Sequence, residues 1–338
     1  MNIALDIGTS NTSIFVSGGG VVLREPSVVA LVSGKNKIRA VGFDAAEMQG
    51  LSPDNIDVIT PVSESMICGT QRGTQAAVLM LRKFLEKITP SNALFYPRFR
   101  GVLASPSGIG GDERLRLEKI CATAGIVDVA IVDGIILAAL GANLPITKSF
   151  GGLIVDIGGG TTKIASLSMC NVLQGCVVSI GGDMMDKALG DLIESRFGCR
   201  IGINTLRRIK TEVGSLHAND TAHANIRGVD IENKELKTFV IGADDVAEAC
   251  RGYYQKISDS IITVLNKCSP AVVAEVDKQG IYVVGGAASI KGLQKFMTDK
   301  LKINVTIPED PHLATVIGAG KLLEQKELLG EMLRGRKK

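Results

Sequence analysis

The sequence predicts an α/β protein made of two similar halves. Strand-like runs alternate with helical patterns along the chain, which is typical of α/β folds. A strand–turn–strand motif near the N-terminus recurs about 150 residues later, and the 338 residues suffice for two domains. Two halves that open with the same motif indicate a pseudo-symmetric molecule with a cleft between its lobes.

Seven apolar runs followed by Gly, Thr or Asn turns predict strands. They cover residues 3–6, 13–16, 28–32, 101–104, 153–156, 163–167 and 280–284. Five segments in which apolar residues recur every three or four positions predict helices. These helices cover residues 74–88, 111–124, 183–197, 243–268 and 289–301.

Composition excludes several classes of protein. The net charge is +3, aromatic residues make up 4% and tryptophan is absent, which argues against nucleic acid as a partner. The seven cysteines are scattered without a C-x-x-C pair, so reduced thiols are favoured over disulfides or zinc. The N-terminus lacks a signal-peptide pattern and no apolar run reaches 18 residues, which predicts a cytoplasmic protein.

The repeated motif places an aspartate at a strand end, directly before a Gly/Thr turn. We call residues 6–13 the first hairpin and residues 156–163 the second hairpin. Such turns point backbone N–H groups at one anion, and the aspartates Asp6 and Asp156 suit the water ligands of Mg²⁺. Either turn alone is equally well explained as an ordinary hairpin turn, but the repetition favours phosphate binding. The predicted phosphate-binding residues are Gly8, Thr9, Ser10, Asn11, Gly158, Gly159, Gly160 and Thr161.

A third glycine segment, residues 284–289, follows a strand and is predicted to open a helix. A helix N-terminus there suits an adenosine or its phosphate. The candidate residues are Gly285, Gly286, Ala287 and Ala288. Neither hairpin turn matches the Walker or Rossmann spacing, and the third segment alone is weak support for a ligand.

The motifs, taken together and in order, resemble those of the MreB/Mbl family of bacterial actins, within the actin and heat-shock-type ATPase superfamily. D-I-G-T-S-N-T and D-I-G-G-G-T-T resemble the two phosphate loops of the family. The matching segments are residues 6–12, 24–30, 40–48, 156–162, 180–183, 208–215, 284–287, 309–311 and 318–321.

The resemblance implies an actin-like two-lobed fold of duplicated ribonuclease-H-like domains, with four subdomains around a nucleotide cleft. Lobe I would comprise residues 1–145 and 318–338, with a small subdomain at about 33–65. Lobe II would comprise residues 146–317, with a small subdomain at about 182–240. The implied ligands are ATP or GTP with Mg²⁺. The resemblance adds Gly182 and Lys210 to the nucleotide site, with Lys210 packing along the base or ribose.

Two departures from the family pattern bear on mechanism. Gly134 stands where the family carries a glutamate that orients the attacking water, which predicts slow hydrolysis. Asp133 is a doubtful substitute, while Thr161, the usual partner of that water, is retained. Arg207 replaces a glutamate that would bond ribose hydroxyls, so ribose recognition is expected to be altered or moved.

Residues 93–98 place Leu94, Phe95 and Tyr96 beside basic residues in a loop, which suits an anionic bilayer surface. The alternative is that these side chains fold into the core. The resemblance implies filaments of this chain at the inner face of the cell membrane, with the cell-shape or cell-wall machinery as a partner. A small-molecule kinase or a DnaK-like ATPase of the same superfamily is the alternative function.

Overall fold

The computed structural model describes residues 1–63, 66–91 and 97–335. The chain divides into two compact units. Unit 1 comprises Met1–Ile154, Ala165–Leu173 and Leu313–Lys338. Unit 2 comprises Val155–Ile164 and Gln174–His312.

The described residues of the first part of the chain, up to residue 141, fold mainly into strands with four helices. The strands are β1 Asn2–Ile7, β2 Asn11–Val16, β3 Gly20–Pro26, β4 Val29–Val32, β5 Ile38–Val41, β6 Ile56–Ile59, β7 Val62–Ser63, β8 Met66–Ile67, β9 Phe99–Ser105 and β10 Ile126–Asp133. The helices are α1 Phe43–Glu47, α2 Gln71–Ile88, α3 Gly111–Ala124 and α4 Gly134–Gly141. The main sheet has the order β10-β9-β1-β2-β3, and a smaller one has the order β5-β4-β6.

The described residues after α4, up to residue 335, add eight strands and seven α-helices. The strands are β11 Gly152–Ile157, β12 Thr162–Ser168, β13 Asn171–Val178, β14 Cys199–Arg200, β15 His223–Asp230, β16 Leu236–Gly242, β17 Ile281–Val284 and β18 Val305–Thr306. The helices are α5 Gly182–Phe197, α6 Ile203–Glu212, α7 Ala243–Leu265, α8 Pro270–Gln279, α9 Leu293–Leu301, α10 Ala314–Glu324 and α11 Lys326–Gly335. The sheets have the orders β13-β12-β11-β17-β18 and β14-β15-β16.

The two main sheets begin with the same strand arrangement. β1 pairs antiparallel with β2, and β2 pairs antiparallel with β3, so the N-terminal residues form a meander. β1 also pairs parallel with β9, which pairs parallel with β10. In the second sheet β11 likewise neighbours β12, and β12 neighbours β13. The predicted repeat is therefore present as a repeat of sheet order.

Helix α2 shows how the apolar pattern produces the core of unit 1. Its N-cap residue Thr70 accepts a hydrogen bond from the Gly73 N–H at 3.0 Å. Its apolar stripe, which includes Leu81 and Phe84, lies in one core with Leu5 of β1. Burying each of these large side chains contributes roughly 1.5–3 kcal/mol to stability.

Helices α4 and α10 approach closely enough that glycine is required at the contact. A Cβ on Gly141 would lie 1.8 Å from the Ala314 carbonyl oxygen. A Cβ on Gly318 would lie 1.8 Å from the Leu137 carbonyl oxygen. The Lys321 ammonium group donates to the last two carbonyls of α4 at 3.1 and 3.3 Å, and burial lowers its pKa. The end of α4 is thus stabilised by a helix that is remote in sequence.

The bounds predicted for α3 are confirmed, and the helix ends at Gly125 in the left-handed conformation. The helix predicted for residues 289–301 is wrong in its first part. A 3₁₀ turn covers Gly286–Ser289 and α9 begins at Leu293. Ile290 is extended and Lys291 forms a β-bridge with Ser215, so the backbone is not helical at these two residues. The third glycine segment therefore opens a 3₁₀ turn and not an α-helix.

Candidate functional site

The first hairpin closes with a short backbone bond between its ends. Asp6 lies opposite Ser13 in the β1–β2 pair. The Gly8 N–H donates to the Asn11 carbonyl at 3.0 Å, and a Cβ on Gly8 would lie 2.9 Å from that same oxygen. Thr9 and Ser10 lie at the tip. Glycine is needed at position 8 because any side chain would press on the bond that closes the turn.

Ser27, which the sequence analysis did not single out, lies just after β3 and hydrogen-bonds to the first hairpin. Its hydroxyl donates to the Gly8 carbonyl at 2.7 Å and lies 2.9 Å from the Thr12 hydroxyl. Because a serine hydroxyl has one proton, Thr12 is the donor in the second bond. Both side chains are fully buried. The only signal in the sequence was a serine between apolar residues just after β3.

The second hairpin repeats this backbone bond at the same position. The Gly158 N–H donates to the Thr161 carbonyl at 2.9 Å, and a Cβ on Gly158 would lie 3.1 Å from that oxygen. Thr161 itself is buried, with 4% of its surface exposed. The predicted equivalence of the two turns therefore extends to their hydrogen bonding.

The support of the second hairpin comes from the start of α5. The Gly182 and Asp183 N–H groups donate to the Gly158 and Gly159 carbonyls, each at 2.9 Å. A Cβ on Gly181 would lie 2.3 Å from the Gly159 carbonyl oxygen. Close contact of two backbones thus helps to position this turn.

The third glycine segment lies against the start of the second hairpin. Gly285 has φ +92°, and a Cβ there would lie 2.3 Å from the Ile157 carbonyl oxygen and 2.5 Å from Asp156 Oδ1. Burial raises the pKa of Asp156, and the nearby Lys163 opposes this rise. The sequence did not single out Tyr254, whose fully buried hydroxyl donates to the Ala287 carbonyl at 2.7 Å.

Unit 2 brings several predicted residues together around Gly182. A Cβ on Gly182 would lie 3.2 Å from Lys210 Nζ, 3.7 Å from the Gly158 carbonyl oxygen and 3.8 Å from Ala287 Cβ. Lys210 also donates to the Gly182 carbonyl at 2.9 Å. Residues from the second hairpin, α5, α6 and the third segment therefore meet at one place.

Arg207 lies in an ion-pair network with α5. Its Nη2 atom is 3.1 Å from Asp183 Oδ1, and its Nε atom is 3.4 Å from Asp186 Oδ2. Lys210 Nζ is 2.5 Å from the other oxygen of Asp186. Asp186 is 1% exposed, so both of its cationic partners offset the cost of burying its charge.

Asp133 is the N-cap residue of α4. Its Oδ1 atom accepts hydrogen bonds from the Ile135 N–H at 3.0 Å and from the Ser107 hydroxyl at 2.8 Å. Gly134 follows as the first helical residue. The carboxylate of Asp133 is therefore already engaged in capping the helix.

The donor sets of both hairpins fit a phosphate group. Gly8 and Gly158 lack the Cβ that would crowd their turns, and the backbone N–H groups of such turns bind anions. Asp6 and Asp156 lie at the adjoining strand ends, as a water-bound Mg²⁺ requires.

The predicted membrane residues Leu94, Phe95 and Tyr96 lie outside the described residues. Among the described helices, none has the length and apolar character to cross a bilayer.

Comparison with known proteins identifies the family. The model of the family described as MreB/Mbl protein matches residues 1–331. The chain belongs to the MreB/Mbl family. The cell shape-determining protein MreB of Escherichia coli K12 is 32% identical over 337 residues, which cover 97% of this chain and 95% of that protein. The cell shape-determining protein Mbl of Bacillus subtilis is 32% identical over 330 residues, covering 97% of each.

Solved structures confirm the predicted actin-like α/β fold. MreB5 of Spiroplasma citri bound to ADP superposes with a TM-score of 0.88 at 29% identity, covering 97% of each chain. The MamK double helical filament superposes with a TM-score of 0.79 at 22% identity, covering 96% of this chain and 99% of that chain. The match along nearly the whole chain favours this family over the kinase and chaperone alternatives.

Proposed function

We propose that this MreB/Mbl chain binds ATP with Mg²⁺ and polymerises into filaments at the inner face of the cell membrane, where they take part in determining cell shape. The observation that carries nucleotide binding is the convergence of the second hairpin, Gly182, Lys210 and Ala287 within unit 2. Structures of MreB5 with ADP and with AMPPNP support it further.

Each residue set has a distinct part in nucleotide binding. The N–H groups of Gly8 and Gly158 close their turns, so the backbone N–H groups of Thr9–Asn11 and Gly159–Thr161 are the ones that bind phosphate oxygens. Asp6 and Asp156 bind waters of Mg²⁺, which supplies charge neutralisation of the phosphates. The Lys210 side chain and the Ala287 backbone contact the nucleoside. Gly286 leaves room for it, since no atom lies within 4 Å of a Cβ built there.

Hydrolysis is expected to be slow. Gly134 has no side chain to orient a water, and the Oδ1 atom of Asp133 accepts the Ile135 N–H and the Ser107 hydroxyl. Lack of a positioned base lowers the rate by about 10²–10⁴-fold. A phosphate-release assay should give turnover far below that of E. coli MreB assayed in parallel. Turnover equal to that protein would contradict this part of the proposal.

Nucleotide binding is tested by titration calorimetry of the full chain with ATP and Mg²⁺, up to millimolar nucleotide. We expect saturable heat with ATP–Mg²⁺ that weakens when EDTA removes the metal. GTP–Mg²⁺ in a parallel titration determines the base preference. A folded chain that shows no heat with either nucleotide would overturn the proposal.

Filament formation is tested by high-speed pelleting with and without ATP–Mg²⁺, followed by electron microscopy. Membrane attachment is tested by co-sedimentation with liposomes containing anionic lipid. The double substitution Leu94→Ser with Phe95→Ser should abolish co-sedimentation, because it removes the apolar groups that would enter the headgroup region. Leu51→Ser, at a residue that is 84% exposed, is the matched control and should leave co-sedimentation unchanged.

A further inference from the structure

The ion-pair network around Arg207 contains two carboxylates in different environments. Asp186 is 1% exposed and lies between Arg207 and Lys210. Asp183 is 39% exposed and lies 3.1 Å from Arg207 Nη2. The buried carboxylate stabilises the two cations, whereas the exposed carboxylate is accessible to a ligand.

The backbone around Asp183 belongs to the proposed nucleotide site. Its N–H donates to the Gly159 carbonyl in the second hairpin at 2.9 Å. The preceding residue, Gly182, is the point at which Lys210 and Ala287 converge. Asp183 is therefore hydrogen-bonded to the predicted phosphate turn, and its neighbour Gly182 lies beside the residues predicted to contact the nucleoside.

The chemistry of a sugar hydroxyl distinguishes between the two partly exposed members of this network, the Arg207 guanidinium and the Asp183 carboxylate. A ribose hydroxyl donates a proton to an acceptor, and a guanidinium group has no acceptor atom. A carboxylate has about four lone-pair sites, so it accepts from a guanidinium and from a hydroxyl at the same time. The rigid planar fork of Arg207 keeps such a carboxylate in one orientation.

We infer that Asp183 is the acceptor for a ribose hydroxyl of the bound nucleotide and that Arg207 is its positioning residue. This inference rests on the proposed ATP binding. The cation at position 207 thereby serves ribose recognition indirectly, by orienting a carboxylate on the neighbouring helix. The ligand class is a ribonucleoside triphosphate, in preference to its deoxy forms.

The test compares the dissociation constants of ATP, 2′-deoxyATP and 3′-deoxyATP, each with Mg²⁺, for the full-length chain. The wild-type chain should bind ATP at least roughly tenfold more tightly than one of the deoxy forms, as a hydrogen bond to a charged acceptor predicts. In the Asp183→Ala variant the dissociation constants of ATP and of that deoxy form should differ by no more than about threefold. Affinity for the deoxy form should change little.

Two further variants separate recognition from structure. Arg207→Gln should reduce the ratio while leaving Asp183 in place. In the double variant Asp183→Ala with Arg207→Glu, a carboxylate on α6 should restore a preference for ATP. Arg208→Gln, on the same helix and paired only at 3.9 Å with exposed Glu212, is the control and should keep the wild-type ratio.

The outcomes distinguish this inference from the proposed function. A wild-type chain that binds ATP and both deoxy forms equally would overturn the inference and leave ATP binding intact. An Asp183→Ala variant that retains the wild-type ratio would also overturn it. A wild-type chain that binds none of the three nucleotides would overturn the proposed function itself.

Discussion

The two hairpins have the same backbone closure but are supported by different kinds of group. In the first, the Ser27 hydroxyl donates to the Gly8 carbonyl and accepts from Thr12. In the second, backbone N–H groups at the start of α5 donate to the carbonyls of Gly158 and Gly159. The first hairpin also accepts a backbone bond, from the Ser27 N–H to the Ser10 carbonyl at 3.0 Å, and the second also has a side-chain bond, from Thr162 to the Ile180 carbonyl. The comparison teaches that the same closing bond is supported at the first turn by buried hydroxyls in addition to backbone, and at the second chiefly by close backbone contact.

This difference predicts which substitutions each hairpin tolerates. A turn supported by a hydroxyl is sensitive to removal of that hydroxyl, because its buried partners lose a hydrogen bond. A turn supported by backbone contact is sensitive to any added Cβ at the contact, because the backbone cannot move aside cheaply.

The largest effect is expected for Gly181→Ala. The new Cβ would lie 2.3 Å from the Gly159 carbonyl oxygen and would displace the second hairpin from α5. We expect the free energy of unfolding to fall by roughly 3 kcal/mol, at the upper end of overpacking costs. ATP affinity should fall with it. Urea unfolding and calorimetry measure the two quantities.

Gly202→Ala is the matched control for that substitution. Gly202 precedes α6 as Gly181 precedes α5, and no atom lies within 4 Å of its added Cβ. It should unfold at the wild-type urea concentration. If Gly181→Ala proves as harmless as Gly202→Ala, backbone contact does not limit the second hairpin.

Ser27→Ala should have the next largest effect. It leaves the Gly8 carbonyl without the Ser27 donor and the Thr12 hydroxyl without the Ser27 acceptor, in a buried position. The cost should be about 2 kcal/mol in the free energy of unfolding. Ser260→Ala is the control, since this half-buried residue on α7 makes a local bond to the Lys256 carbonyl one turn away. Equal urea midpoints for these two variants would contradict the role of Ser27.

Thr162→Val tests the side chain of the second hairpin that corresponds to Thr12. Its buried hydroxyl donates to the Ile180 carbonyl at 2.7 Å, so the variant loses one hydrogen bond. We expect a loss of about 1 kcal/mol in the free energy of unfolding, since the backbone contacts of α5 persist. A loss larger than that of Ser27→Ala would show that side-chain bonds dominate both hairpins.

The smallest effect is a coupling energy. Thr12→Val and Ser27→Ala remove two ends of one hydrogen bond, so the double variant should lose about 0.5–1 kcal/mol less than the sum of the single variants. Thr162→Val combined with Ser27→Ala should be additive within about 0.5 kcal/mol, because the two residues share no bond. Additivity in the first pair would show that Thr12 and Ser27 act independently.

Sequence reasoning located the hairpins because their information is local. A few consecutive residues suffice to recognise the apolar strand with Asp6 near its end, the glycine at position 8 and the repeat at Asp156. In the structure both turns have the same closing bond. The bounds of α3 were predicted correctly for the same reason, since Gly125, the residue directly after it, ends the helix in the left-handed conformation.

Features that depend on long-range partners were missed. The helix predicted through residues 289–301 is interrupted because Lys291 pairs with Ser215, more than seventy residues away. Ser27 and Tyr254 were not singled out, since the carbonyls that they contact belong to distant segments. Periodicity within a segment contains no information about such partners.

The amino-acid sequence by itself determined the family, the α/β class and the two glycine turns, because these rest on residue order and local backbone preference. Tertiary structure alone decided that Arg207 pairs with Asp183 and Asp186, and that α4 meets α10 at glycines. The physical reason is that the energy of an ion pair or a close helix contact depends on distances between segments. Those distances exist only after the chain has folded.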